Sequence, residues 1–192
     1  LFPNQPKDSS FIISNLGTIK TDGKVLLSNN LYCSNPTFSI DSGASHQLNF
    51  TFSGLPTDGN INEKITVWDE VCKYFREVLI TGKVVSPHFH GFSAVQCKGY
   101  ENEYKLTLTN PTSNKFNVTS IEFKINPQLF FIDPNVEFPI IIEPYTTNYE
   151  IKVSYKDDIA QKFKTAVNFI TDNEFVPIIT DTIFVETVEY IR

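Results

Sequence analysis

The chain has no methionine, a single tryptophan, three histidines and three cysteines in 192 residues. Each scarcity excludes something. No stretch approaches the roughly 18 consecutive apolar residues of a membrane-spanning helix, which rules out an integral membrane reading for this segment but not for a longer parent. Basic residues are outnumbered, 16 Lys and Arg against 22 Asp and Glu, for a net charge of −6. The deficit holds on both sides of Val84, with 7 basic and 8 acidic residues before the split and 9 and 14 after it. Neither part offers the positive field that nucleic acid or anionic lipid requires. Cys33, Cys72 and Cys97 are too few for a disulfide scaffold and match no zinc spacing. They leave open one disulfide with one leftover thiol, or three buried thiols acting as small hydrophobes. The missing initiator Met reads as a processed or excised segment.

What is present is a strand period. In Ser45–Ser53, Leu48, Phe50 and Phe52 alternate with Gln47, Asn49, Thr51 and Ser53. Tyr104, Leu106 and Leu108 alternate with Lys105, Thr107 and Thr109, and Tyr149, Ile151, Val153 and Tyr155 with Glu150, Lys152 and Ser154. Ala166–Ile170 and Thr182–Val188 follow the same rule. Such alternation belongs to antiparallel sheets with one wet face. Turn signals separate the runs: Asp22-Gly23, Asp41-Ser42-Gly43, Asp58-Gly59-Asn60, Asn110-Pro111, Asp157-Asp158 and Thr171-Asp172-Asn173. Helical competitors are few. Val71, Tyr74, Phe75 and Val78 fit one short helix over Glu70–Leu79, and Asp157–Lys164 fits a single turn.

The run from Glu77 to Val85 reads as a last strand, broken by Ser86-Pro87, and a second set of strands begins after His90-Gly91. The two parts repeat in outline. The expectation is an all-β chain of two tandem immunoglobulin-like β-sandwiches, residues 1–85 and 86–192.

Sites are scarce. There is no G-x-G-x-x-G or Walker loop, no G-x-S-x-G elbow and no H-E-x-x-H, so no catalytic, cofactor-binding or metal residue is expected and the chain reads as a non-enzyme. Ser42-Gly43-Ala44-Ser45-His46 holds the right residue types for nucleophilic chemistry but reads as a turn entering a strand. His88 and His90 stand at i, i+2 with Cys97 nearby, a pattern read here as polar linker residues because no carboxylate accompanies them. Asp157-Asp158 and Asp172/Glu174 read as solvated turns rather than a calcium site, which needs six or more converging oxygens. Two N-glycosylation sequons, Asn49-Phe50-Thr51 and Asn117-Val118-Thr119, are expected to face solvent.

Asn15-Leu16-Gly17-Thr18-Ile19 with Asp22-Gly23-Lys24-Val25, and the segment Lys105–Pro111 with Asn117–Ile121, resemble the opening strands and the L-x-L-x-N-P hairpin of abnormal-spindle/hydin (ASH) domains. These belong with major sperm protein and pilus chaperones. Pro144–Tyr155 is similar to the following pair of elements in that branch. The tandem, including the junction Phe75–Pro87, Ile142-Glu143-Pro144-Tyr145, Ile170–Phe175 and the Ile183–Val188 strand, resembles the luminal region of the transmembrane protein 131 family. It departs from that family in a short middle section, Leu31–Pro36, in the first part. The resemblance implies a pilus-chaperone-like domain followed by an ASH-like one, in the ectodomain of an endoplasmic reticulum membrane protein that binds procollagen for secretion.

The expectation for function is a module that binds a protein partner, procollagen by resemblance, through a sheet edge or an apolar patch. It makes no contact with nucleic acid or membrane of its own. The same domains also build cytoplasmic scaffolds at the centrosome, cilium or Golgi tether, which is the alternative. Most of Leu129–Ile132 and Phe138–Ile142 is expected to be core, with a partner-facing fraction.

Overall fold

The structure, a computed structural model, describes residues 1–189. It is all-β and immunoglobulin-like, with no α-helix among the described residues and only one short 3-10 turn at Pro127–Leu129. No helix among the described residues is long and apolar enough to cross a membrane. The chain divides into two compact units, Leu1–Val85 and a second beginning at Ser86.

The first unit has seven strands: β1 (Lys7–Ser14), β2 (Thr21–Leu27), β3 (Leu31–Tyr32), β4 (Thr37–Ile40), β5 (Ser45–Phe52), β6 (Gly59–Asp69) and β7 (Tyr74–Val84). They form a three-stranded sheet, β1-β5-β3, and a four-stranded one, β4-β2-β6-β7. The alternation in β5 works as its sequence requires: Leu48, Phe50 and Phe52 are buried while Gln47 and Asn49 are exposed. With Val25, Leu31, Phe38, Ile40, Ile61, Ile65 and Val84 they make one core.

Two readings of this unit change. The helix over Glu70–Leu79 is instead the turn and outgoing strand of a long hairpin, with β6 and β7 in register from Gly59↔Val84 to Asp69↔Tyr74. Cross-strand pairs outweigh the helical spacing. Trp68 stacks on Phe75 with ring centres 6.4 Å apart, Lys64 meets Glu77 at 2.8 Å, and the Asp69 carboxylate accepts the amides of Val71 and Cys72 at 2.9 Å each. Those amide bonds, Cys72 first, hold the Asp69 carboxyl below its ordinary value. Asp22-Gly23 is not a turn but lies inside β2. A Cβ at Gly23 would stand 2.3 Å from the Phe38 ring and 2.4 Å from the Trp68 carbonyl oxygen, so glycine is there for close packing.

The second unit has β8 (His88–His90), β9 (Ser93–Cys97), β10 (Glu101–Thr109), β11 (Phe116–Phe123), β12 (Phe130–Ile132), β13 (Ile140–Ile142), β14 (Tyr149–Lys156), β15 (Gln161–Thr171) and β16 (Ile178–Val188). One sheet runs β12-β14-β10-β8 and the other β13-β11-β15-β16-β9. Its first strand changes sheets. β8 pairs with β10, and after Gly91-Phe92 the chain continues as β9, parallel to β16. A Cβ at Gly91 would come within 2.5 Å of Ile183, so the crossover needs glycine. The helical turn expected over Asp157–Lys164 is a bend followed by β15. The three thiols are free, and none is fully buried, with Cys72 in the exposed β6–β7 turn.

Candidate functional site

The second unit has an open side. β12 ends its sheet and pairs only with β14, from Phe130↔Tyr155 to Ile132↔Val153. In the facing sheet, β13 covers β11 only from Phe116 to Val118, so Ser120–Phe123 has β15 on one flank and no strand on the other among the described residues. Both ladders stop short on the same side. Between them lies a groove of about 660 Å³ lined by Ile121, Phe123, Pro127, Phe130, Phe131 and Ile132.

The residues explain the groove. Phe130 is buried and stacks on Phe123, ring centres 4.4 Å apart, and packs on Tyr155 at 5.1 Å, making a fixed aromatic floor. Phe131, one step along the strand, points outward and is 52% exposed. Glu122 and Lys124 pair at 2.5 Å on the rim. Asp133 ends β12 by accepting the amide and side-chain nitrogen of Asn135 at 2.9 and 2.8 Å, which holds its carboxyl below the ordinary value. The edge is thus short, its Phe130 amide is held by the Pro127 carbonyl, and its apolar groove is rimmed by the Glu122–Lys124 pair.

Behind this floor lies a polar cluster that the sequence reading placed in solvent. Asp157 is buried, not a solvated turn residue. Its carboxylate accepts from the Tyr155 hydroxyl at 3.1 Å, Gln161 at 2.5 Å and the Ile159 amide at 2.9 Å, and Tyr155 also meets the Thr187 hydroxyl at 2.9 Å. Burial, reinforced by the bond to Asp157 and opposed by that to Thr187, pushes the Tyr155 phenol up to about 12. The native state therefore keeps a proton that the unfolded chain releases near pH 10, and stability falls as pH rises from 10 towards 12. The expected loss from this residue is about 2–3 kcal/mol at pH 12. Urea unfolding at pH 8 and pH 12 should show that drop in the parent chain and a flatter profile in Tyr155→Phe; equal slopes would put the alkaline sensitivity elsewhere.

The other expected residues scatter. Asn49 is exposed on the outer face of β1-β5-β3, beside a shallow polar depression with Asp8, Ser10 and Tyr32. Asn117 is half-buried on β11, where its Nδ2 donates to Asp172 at 2.7 Å. Ser42, Ser45 and His46 do not converge: Ser42 donates to the Gly17 carbonyl, Ser45 meets Ser14 and His46 stacks on Phe38. His88 and His90 are not linker residues but side-by-side positions on β8, while Cys97 belongs to the other sheet. No group of three His, Cys, Asp or Glu side chains suited to a metal occurs among the described residues.

No family model and no curated protein sequence matches the chain. Solved structures do. The C-terminal domain of the Streptococcus pyogenes antigen I/II-family protein AspA aligns at a TM-score of 0.57 and 9% identity, over 97% of this chain and 94% of that one. The C-terminal domain of the Streptococcus agalactiae AgI/II polypeptide BspA aligns at 0.51 and 10%, over 97% and 94%. The ASH/PapD-like domain 7 of human CEP192 aligns at 0.38 and 9%, over 55% of this chain and 87% of that one, which is too loose to add to the comparison. At such identities the likeness speaks of fold alone. The chain has the immunoglobulin-like β-sandwich fold.

Proposed function

We propose that this chain is a non-enzymatic protein-binding module whose second unit receives an extended, apolar partner segment along the open side between β12 and β11. The observation that carries the reading is that two sheets end together over a fixed aromatic floor, with Phe131 exposed beside it. An added strand pairs along the outer edge of β12, and its alternate side chains enter the groove. Procollagen, met in the lumen of the endoplasmic reticulum, is the cargo that the family resemblance implies, and the exposed Asn49 sequon supports a luminal setting. Three unpaired thiols favour the second reading, a cytoplasmic ASH-type scaffold.

Charge contributes little in either case, because the module is acidic and carries no basic patch. Binding of a procollagen propeptide to the immobilised chain should therefore weaken only modestly between low and physiological salt. Phe131→Glu should weaken it about tenfold or more, the effect of removing a central aromatic anchor. Unchanged binding in that variant would move the contact off this edge. Absence of propeptide binding, and of a glycan at Asn49 after passage through the secretory pathway, would favour the cytoplasmic scaffold.

A further inference from the structure

The two histidines of β8 have neighbours and geometry that no part of the binding reading uses. β8 is the edge strand of its sheet, and its register with β10 is fixed by the pairs Thr109↔His88 and Thr107↔His90. Between them Phe89 is buried and packs on Phe169 with ring centres 4.5 Å apart, which pins the strand. Alternation then sends both imidazoles to the same solvent face. Both are exposed, and their ring centres lie 5.3 Å apart. His88 Nδ1 faces the Ser86 carbonyl at 3.5 Å, and a proton on Nδ1 would leave Nε2 as a lone-pair donor.

We propose that His88 and His90 form a two-imidazole chelate for a borderline divalent transition ion such as Ni²⁺, Cu²⁺ or Zn²⁺. Imidazole suits these ions, whereas Ca²⁺ and Mg²⁺ prefer oxygen. The spacing fits. A metal held by one nitrogen of each ring at about 2.1 Å lies about 3.2 Å from each ring centre, and a tetrahedral angle puts the centres about 5.2 Å apart. The ladder already fixes both Cα positions, so binding asks only for rotation of two exposed side chains. No third His, Cys, Asp or Glu joins them among the described residues, so the remaining positions go to water or to a donor from a bound molecule. Of the neighbouring carboxylates, Asp181 faces the Gly91 amide at 3.5 Å, and Glu150, opposite Thr107, is engaged with Lys105 at 2.5 Å.

The test is calorimetric titration of the whole chain with NiCl₂ after alkylation of the accessible thiols. One ion should bind per chain, and His88→Gln or His90→Gln should each weaken binding about tenfold or more, as expected when a chelate loses one arm. His46→Gln should bind like the parent, since His46 stacks on Phe38 in the other unit. The far-UV spectra of all variants should match, because both β8 imidazoles are exposed. Full affinity in the double variant His88→Gln/His90→Gln, or no heat of binding in the parent chain, overturns the proposal.

Discussion

Phe50→Ala is expected to lower the stability of the first unit by about 3–5 kcal/mol, the range for emptying a buried aromatic site. Phe50 is 5% exposed in the middle of β5, the central strand of its sheet, and leans on Phe11 with ring centres 6.2 Å apart. β5 is flanked by β1 and β3 and has no room to drift, so the cavity closes only in part. The chain offers a clean probe. Its one tryptophan, Trp68, is in β6 of the same unit, so intrinsic fluorescence follows this unit's unfolding. The Trp68 transition should move to markedly lower denaturant in Phe50→Ala. It should stay within about 0.5 kcal/mol of the parent in Asn49→Gln, one residue away on the exposed face. A loss well under 1 kcal/mol for Phe50→Ala would mean that the ring is not in the core.

β5 was legible because one of its faces is wet: polar and apolar residues alternate, and the alternation names the buried side. β10 and β14 were legible for the same reason, although Tyr149 at the start of β14 is partly exposed. The apolar runs at Phe130–Ile132 and Ile140–Ile142 were not. Without polar residues between them, nothing local says that Phe130, Ile140 and Ile142 turn inward while Phe131 and Ile141 face out. The open side was hidden for a deeper reason. A free edge is the absence of a neighbour, and which strands are neighbours depends on pairings such as β11 with β15, some fifty residues apart in sequence. The burial of Asp157 follows similarly from its bonds to Tyr155 and Gln161, with Thr187 meeting the Tyr155 hydroxyl, a cluster that comes together only once β14, β15 and β16 have paired. Asp22-Gly23 misled in the other direction, because a glycine needed for close packing and one needed for a turn look alike in sequence.

Asn110→Ala is expected to cost the second unit about 3–4 kcal/mol. The Asn110 side chain is fully buried and uses both ends. Nδ2 donates to the carbonyls of Asn114 at 2.8 Å and Glu143 at 3.0 Å, and Oδ1 accepts from the Thr112 amide at 3.1 Å and hydroxyl at 2.7 Å. The residue thereby ties the turn after β10 to the Glu143-Pro144-Tyr145 approach to β14, two segments more than thirty residues apart. Alanine leaves those part-buried carbonyls and the buried Thr112 amide without this partner. Asn110→Asp separates polarity from size, because it keeps the shape and the acceptor but sets a carboxyl oxygen against two carbonyls. A neutral carboxyl can still donate to one of them, whereas an ionised one repels both, so burial should push this carboxyl above its ordinary range. The variant should then grow less stable as pH rises from about 4 to 7, while the alanine variant shows no such slope. Hydrogen exchange of the amides in β10 and β11 reads both changes, with protection lost in Asn110→Ala at every pH and in Asn110→Asp progressively towards neutrality. Full protection in both variants at pH 7 would show that the turn after β10 holds without its asparagine.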